Sequence, residues 1–416
     1  MFGNLFKKKR YIFEDEGTMV LDMDQSAGRY YEEAMKKLEI EAYQGDEMVV
    51  NMGPQHPSTH GVLRLELILD GELVKKVTPH LGYLHRNFEK HAENISYNEV
   101  IPFCDRIDYL ASMNQDMAYA LAVEKLIGLS ELPEKVQYLR IICCELNRIA
   151  SHLVAVGTFG LDIGAFTPFL WAFRDREKVL DLLEWLSGAR MLYNYIWVGG
   201  VAREIPDGWL ETVTEFLDYF EPKMVEFNKL LTMNHIFIER TAEVGILSPE
   251  LAVSYGCTGP VLRGSGIKWD LRKDDPYSYY DKLEFDVPVG EGKFGPQGSV
   301  LDRYLVRIDE ISESVKILRQ AVEGIREFLD QDVKAAIPRR IRPADGTEAY
   351  VRSETPRGEL GFLLRSDGSD VPSRVKARSP CFSNISVIDE ISRGALVADL
   401  VIIIGSVDIV LGCVDR

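Results

Sequence analysis

The sequence predicts an α+β fold, and three observations carry that prediction. Residues 48–77 have the apolar patterning of strands, residues 105–331 carry helical periodicity, and β-like runs return after Pro338. Four regions follow: an extension over 1–46, an α/β hairpin region over 47–104, a helical bundle over 105–337 and a β-containing region over 338–416. A long irregular insertion interrupts the bundle at 241–298.

The extension is mixed and charged, with an acidic run from Glu14 to Glu16 and a helical patch over 30–41. Next, Val62, Leu63, Leu65, Leu67, Ile68 and Leu69 lead into Asp70-Gly71, a turn dipeptide, and Leu73 to Val77 returns. That pattern predicts a hairpin. Ala111 to Ile127 is Ala-rich and free of Gly and Pro, and in Lys135 to Val156 the residues Leu139, Ile142, Leu146, Ile149 and Leu153 recur at helical spacing. Trp171 to Leu192, Asp207 to Leu231 and Ser299 to Leu329 extend the set, so a bundle of about five helices is expected. The insertion is rich in Gly, Pro, Tyr and Asp, and a segment so long and aperiodic is expected to be functional or a partner surface. The final strands are expected at Ala349–Ser353, Gly358–Arg365, Ser373–Ala377 and Leu400–Ile404.

Composition narrows the function. Lys plus Arg number 48 against 65 Asp plus Glu, a net charge of −17, which argues against a nucleic-acid coat because phosphate binding runs on cations. Six cysteines stand at 104, 143, 144, 257, 381 and 413 with no C-x-x-C, which suits a reducing compartment without a disulfide framework. Met1 to Arg10 lacks the apolar core of a signal peptide. The one candidate span, Gly394 to Val414, contains Asp399 and Asp408, each costing roughly 2.5–3.5 kcal/mol near a bilayer centre. Buried strands are therefore expected there, in a soluble or peripheral cytoplasmic protein.

Gly290-Glu291-Gly292-Lys293-Phe294-Gly295 satisfies G-x-G-x-x-G, but Pro296 follows in place of the helix that a dinucleotide site needs. Six of the seven histidines precede residue 155: His56, His60, His80, His85, His91 and His152. Two of them sit in the Pro- and Gly-punctuated loop Gly53 to Gly61. No cysteine partner at metal-ligand spacing accompanies them, so proton transfer by an imidazole and an ordinary surface role both stay open. The flanking glycines suggest a loop mobile enough to gate a site.

That loop also carries a family resemblance. Gly53-Pro54-Gln55-His56-Pro57-Ser58-Thr59-His60-Gly61 is followed by His80-Leu81-Gly82-Tyr83-Leu84-His85-Arg86, Asp105-Arg106-Ile107-Asp108-Tyr109-Leu110 and Ala150-Ser151-His152-Leu153. Leu161 to Phe169, Thr258 to Gly266, Pro356-Arg357-Gly358-Glu359 and the terminal Val414-Asp415-Arg416 complete the series. In this order the motifs resemble the 49 kDa (D) subunit of proton-pumping NADH:quinone oxidoreductase, respiratory complex I, from about residue 47 to the end. The family is in turn similar to the large subunit of nickel–iron hydrogenases, which implies a hydrogenase large-subunit-like fold.

The resemblance implies chemistry and partners. It assigns the catalytic set to His60, Tyr109 and Asp162, with His60 and Tyr109 as donors to a quinone, and it places Arg86 and His152 near the iron–sulfur cluster of a partner subunit. Quinone is then the substrate, and a 4Fe-4S cluster is supplied by the adjacent B subunit. The C (30 kDa) subunit, the I subunit and the membrane H subunit are the further partners implied, with this chain peripheral on the cytoplasmic side of the membrane. Hydrogenases hold their metal with two cysteine pairs, whereas the matching regions here each keep one, Cys104 and Cys413. A metal site is therefore not expected, and a catalytic hydrogenase subunit is the alternative reading. The electron donor, whether NADH, ferredoxin or deazaflavin, stays open.

Overall fold

The computed structural model describes residues 11–14, 18–21 and 47–416. The described residues up to Met48 and those of Val49–Arg416 belong to separate compact units. In the first, β1 (Tyr11–Glu14) and β2 (Thr18–Leu21) pair antiparallel with Tyr11 opposite Leu21. The helical patch expected over 30–41 lies outside the described residues.

Strands β3 (Met48–Met52), β4 (Arg64–Asp70) and β5 (Leu73–His80) form one sheet in that order. The predicted hairpin is β4–β5, closed by Gly71 and Glu72 between the paired Asp70 and Leu73. Gly71 has φ +61°, a conformation in which glycine avoids a side-chain clash. Along β4, Leu65, Leu67 and Leu69 face inward and their neighbours outward, the period-two pattern that fixes register.

The bundle consists of α1 (Ser112–Leu126), α2 (Glu134–Asp162), α3 (Phe166–Ser187), α4 (Trp209–Phe227) and α5 (Val300–Ile325). Helix α2 packs against α1, α3 and α5 and is the axis of the unit. Its 29 residues reach about 44 Å at 1.5 Å per residue. Gly188 in the left-handed region ends α3, and the Ser299 hydroxyl accepts the Asp302 N–H to start α5. The same Asp302 accepts the N–H groups of Gly292 and Gly298, so the glycine-rich loop closes on its own helix.

The insertion turns inward. Arg263 and Arg272 are fully buried, Arg263 against Glu310 and Glu354, Arg272 against Asp270 and Glu145. Pairing compensates these charges for lost hydration. The segment is not wholly irregular: it carries the short helices Pro249–Ser254, Pro260–Gly264 and Leu271–Asp274, and side-chain ion pairs, rather than an apolar periodicity, tie it to α2 and α5.

Strands β6 (Glu348–Thr355), β7 (Gly358–Arg365) and β8 (Arg374–Arg378) form an antiparallel sheet with β7 in the middle. Short helix α6 (Pro380–Ile385) follows. The strand expected at Leu400–Ile404 is instead part of helix α7 (Val397–Val407), with α8 (Leu411–Asp415) beyond it. A continuous apolar run does not distinguish a buried strand from a buried helix. The run meets the end of β5 only at its start, where Leu396 bridges Leu73, and beyond that it packs against α2 and α5, with Asp399 in the first turn suiting the helix dipole.

Candidate functional site

His60 leaves the 3₁₀ turn Pro57–Thr59 with φ 50° and ψ 40°, a left-handed conformation uncommon outside glycine. The loop around it is braced. Thr59 Oγ1 donates toward the His56 and Gly61 carbonyls, and the Ser58 N–H donates to His56 Nδ1. The glycines serve close approach rather than mobility: a Cβ on Gly53 would lie 1.9 Å from the Leu63 carbonyl oxygen, and one on Gly61 3.0 Å from Leu411 Cδ1.

This loop presents His60 Nε2 to Asp162 Oδ2 at 2.8 Å. Asp162 is the last residue of α2, and side-chain exposure is 18% for the histidine and 9% for the carboxylate. Burial opposes the charged ring, but the Asp162 hydrogen bond and the charges of Asp162 and Asp408 outweigh it and raise the His60 pKa. Gly405 of α7 makes the contact fit, since a Cβ there would lie 2.7 Å from Asp162 Oδ2.

Asp408 links this pair to the rest of the site. It caps α7 in the left-handed region and is buried. Its Oδ1 accepts Arg357 Nη2 at 3.3 Å, its carbonyl accepts Arg357 Nε at 3.1 Å, and Arg307 Nε lies 3.8 Å from Oδ2. Burial disfavours its charge, yet Arg357 and Arg307 hold the carboxyl below the usual range. Arg357 also donates to Asp108 Oδ2 at 2.7 Å and Ser151 Oγ at 2.9 Å. It stands in the two-residue turn between β6 and β7, which packs backbone to backbone on Thr258-Gly259: a Cβ on Gly358 would lie 2.7 Å from the Gly259 nitrogen.

Tyr109 follows Asp108 and is half-buried. Burial and the Asp108 charge raise its pKa, partly opposed by Arg357 and Arg86, so its phenol keeps its proton at neutral pH. The Asp408 charge acts across space on the His60–Asp162 pair, and through Arg357 it is bonded to Asp108, the residue beside the phenol. Arg357, Asp408 and Gly405 join the site beyond the residues expected from sequence. The available signal was an arginine in a tight strand turn and an aspartate inside an apolar run.

The remaining predicted residues lie in contrasting settings. Arg86 is exposed and donates to the Arg106 carbonyl. His152 is fully buried on α2, with Nε2 2.8 Å from Glu310 Oε2. Burial lowers its pKa against the pull of Glu310, so the ring is neutral and donates through Nε2 to the carboxylate. Among the other histidines, His85 bonds to the Asp415 carbonyl and Asn87, and His91 stacks on Phe103. Cys104 is buried near Asp105 and Asp116, whereas Cys413 lies beside Ser379 and Cys381. Among the described residues no helix is long and apolar enough to cross a membrane.

Comparison with known proteins gives the family. Residues 162–347 and 339–416 match the family profile described as respiratory-chain NADH dehydrogenase, 49 Kd subunit. The NADH-quinone oxidoreductase D subunit of Chlorobium luteolum is 58% identical over 372 residues, covering 89% of this chain and 94% of its own length. The NADH-quinone oxidoreductase D 1 subunit of Cytophaga hutchinsonii is 55% identical over 379 residues, covering 89% and 96%. The chain belongs to the 49 kDa, or D, subunit family of the respiratory-chain NADH dehydrogenase, complex I, and is a component of that oxidoreductase.

Proposed function

We propose that this chain builds the quinone-reducing site of its complex, with His60 and Tyr109 as the groups that touch the quinone. Reduction of a quinone to a quinol takes two electrons and two protons, one proton for each carbonyl oxygen. The electrons come from the 4Fe-4S cluster that the B subunit holds at its boundary with this chain. His60, with its raised pKa, supplies one proton and a charged hydrogen bond. Tyr109, protonated at neutral pH, donates to the other oxygen a hydrogen bond that strengthens as negative charge develops there, then passes it the second proton and is reprotonated from solvent.

Asp162 acts through His60 as a positioning residue. It orients the ring and stabilises the imidazolium at 2.8 Å, and it loses that partner charge once the proton leaves. The Asp408–Arg357–Asp108 chain then feels a changed field, which is the reading we offer for coupling to proton translocation in the membrane arm. Exposed Val62 beside His60, and exposed Leu161, Phe166 and Leu170 around Asp162, suit an apolar quinone and a covering partner surface. Arg86 lies on the surface offered to the cluster, and His152 is an internal contributor to the same field through Glu310. The C, I and H subunits are the further neighbours in this reading, with the chain peripheral on the cytoplasmic side.

The observation that carries the reading is the His60–Asp162 contact at the exposed end of α2. His60→Ala and Tyr109→Phe in the assembled complex should each lower quinone turnover while assembly and cluster content stay normal. Wild-type turnover in both variants, with the native quinone, would refute it.

A further inference from the structure

Cys381 and Cys413 take no part in the proton chemistry above, yet the fold sets them together. Cys381 stands on α6 and Cys413 on α8, and both are fully buried free thiols. Each sulfur is held by the flank of the other helix. The Val410 N–H, just ahead of α8, points at Cys381 Sγ at 3.5 Å. The Ser379 hydroxyl, just ahead of α6, lies 3.0 Å from Cys413 Sγ. These crossed contacts set the two thiols side by side between the two helices.

The pair is chemically unequal. The Cys381 hydrogen bond holds the Cys413 thiol below its usual range, while burial pushes Cys381 up. The thiolate is the reactive form, and the Ser379 hydroxyl 3.0 Å from its sulfur can stabilise it at Cys413, which makes Cys413 the nucleophile of the two. Next to Cys381 on α6, Phe382 is 48% exposed and carries Arg416 over its ring at 5.6 Å, so α6 itself reaches the surface.

We propose that Cys381 and Cys413 form a peroxide-sensitive dithiol that closes to a disulfide between α6 and α8. The Cys413 thiolate attacks hydrogen peroxide, the O–O bond breaks, and a sulfenic acid and hydroxide result. The Cys381 sulfur then attacks the sulfenic sulfur, forming the S–S bond and releasing water. In sum, two thiols lose two electrons and two protons, and one peroxide becomes two waters.

Closure fixes the sulfurs at about 2.05 Å with a set dihedral, a cross-link that ties α8 to α6 and constrains how α8 sits. Helix α8 holds two parts of the site in place. Its Leu411 packs under Gly61 beside His60, and its Asp415 carboxylate accepts the N–H groups of Gly82 and Leu84 near Arg86. Oxidation should therefore slow quinone reduction. That consequence rests on the proposed quinone site; the disulfide itself does not.

The test uses the assembled complex, treated with hydrogen peroxide, denatured in N-ethylmaleimide and digested without reductant for mass spectrometry. A peptide pair linked through Cys381 and Cys413 is expected, with turnover lost in proportion to the linked fraction and restored by dithiothreitol. Cys381→Ser and Cys413→Ser should each abolish both the link and the reversible loss. Recovery of both wild-type cysteines as maleimide adducts, at peroxide doses that already oxidise methionines, would overturn the proposal. A link that leaves turnover unchanged would uphold the disulfide and overturn its coupling to the quinone site.

Discussion

Gly405→Ala should uncouple His60 from Asp162 without harming the fold. A Cβ at this position lies 2.7 Å from Asp162 Oδ2, 3.2 Å from Phe159 Cδ2 and 3.6 Å from His60 Cε1. Ordinary contact begins near 3.4 Å, so the carboxylate must retreat by roughly 0.7 Å, the difference between 3.4 and 2.7. That oxygen is the one His60 Nε2 meets at 2.8 Å, and such a retreat takes the contact toward 3.5 Å, where a hydrogen bond is largely lost. A hydrogen bond to a charged group contributes about 1.5–3 kcal/mol, equivalent to about one to two powers of ten.

The sign in pH follows from the direction of the His60 shift. Asp162 and Asp408 raise its pKa against burial, so the proton donor persists to higher pH than a free imidazole would allow. Activity that needs the donor falls as pH rises through that value, and weakening the Asp162 contact moves the fall to lower pH. Alanine is favoured over glycine inside a helix by about 0.5–1 kcal/mol, so assembly should hold. The assay is quinone turnover of the assembled complex against pH. A variant that matches wild type over the whole profile would refute the reasoning.

Two further outcomes follow from the buried charges. Arg357→Met leaves Asp108 and Asp408 without their shared cation and should destabilise the chain by about 3–5 kcal/mol, read as a lowered melting temperature of the complex; an unchanged melting temperature would contradict the pairing. Because the folded His60 pKa is raised, its contribution to stability is complete below about pH 6.5 and is lost as pH rises through the folded value. His60→Ala should flatten that part of the stability profile, and a curve parallel to wild type would count against the linkage.

Much of this was legible in the sequence where local pattern decides structure. Asp70-Gly71 between alternating apolar runs specified the β4–β5 hairpin, and the spacing of Leu139, Ile142, Leu146, Ile149 and Leu153 specified α2. Helix α7 was not legible, because Val397–Val407 is apolar throughout and only its tertiary neighbours choose helix over strand. His60, Tyr109 and Asp162 came from motif resemblance, and the fold adds the contact that joins two of them. Arg357 stood in a quoted motif but carried no assigned role, because only tertiary packing buries its turn against Thr258-Gly259 and brings Asp108 and Asp408 to it. Asp408 registered only as a charge that disfavours a membrane span; its partners lie in a strand turn and on a helix distant in sequence. The Cys381–Cys413 neighbourhood is likewise a product of tertiary packing.

The central claim is that quinone is reduced at His60 and Tyr109 of this chain. Photolabelling the assembled complex with an azidoquinone, followed by peptide mapping, tests it most directly. The account predicts label on peptides spanning residues 53–63, 105–111 or 161–170, competed away by native quinone and reduced in Tyr109→Phe. Competable label confined to other subunits, with these peptides unmodified, would contradict it.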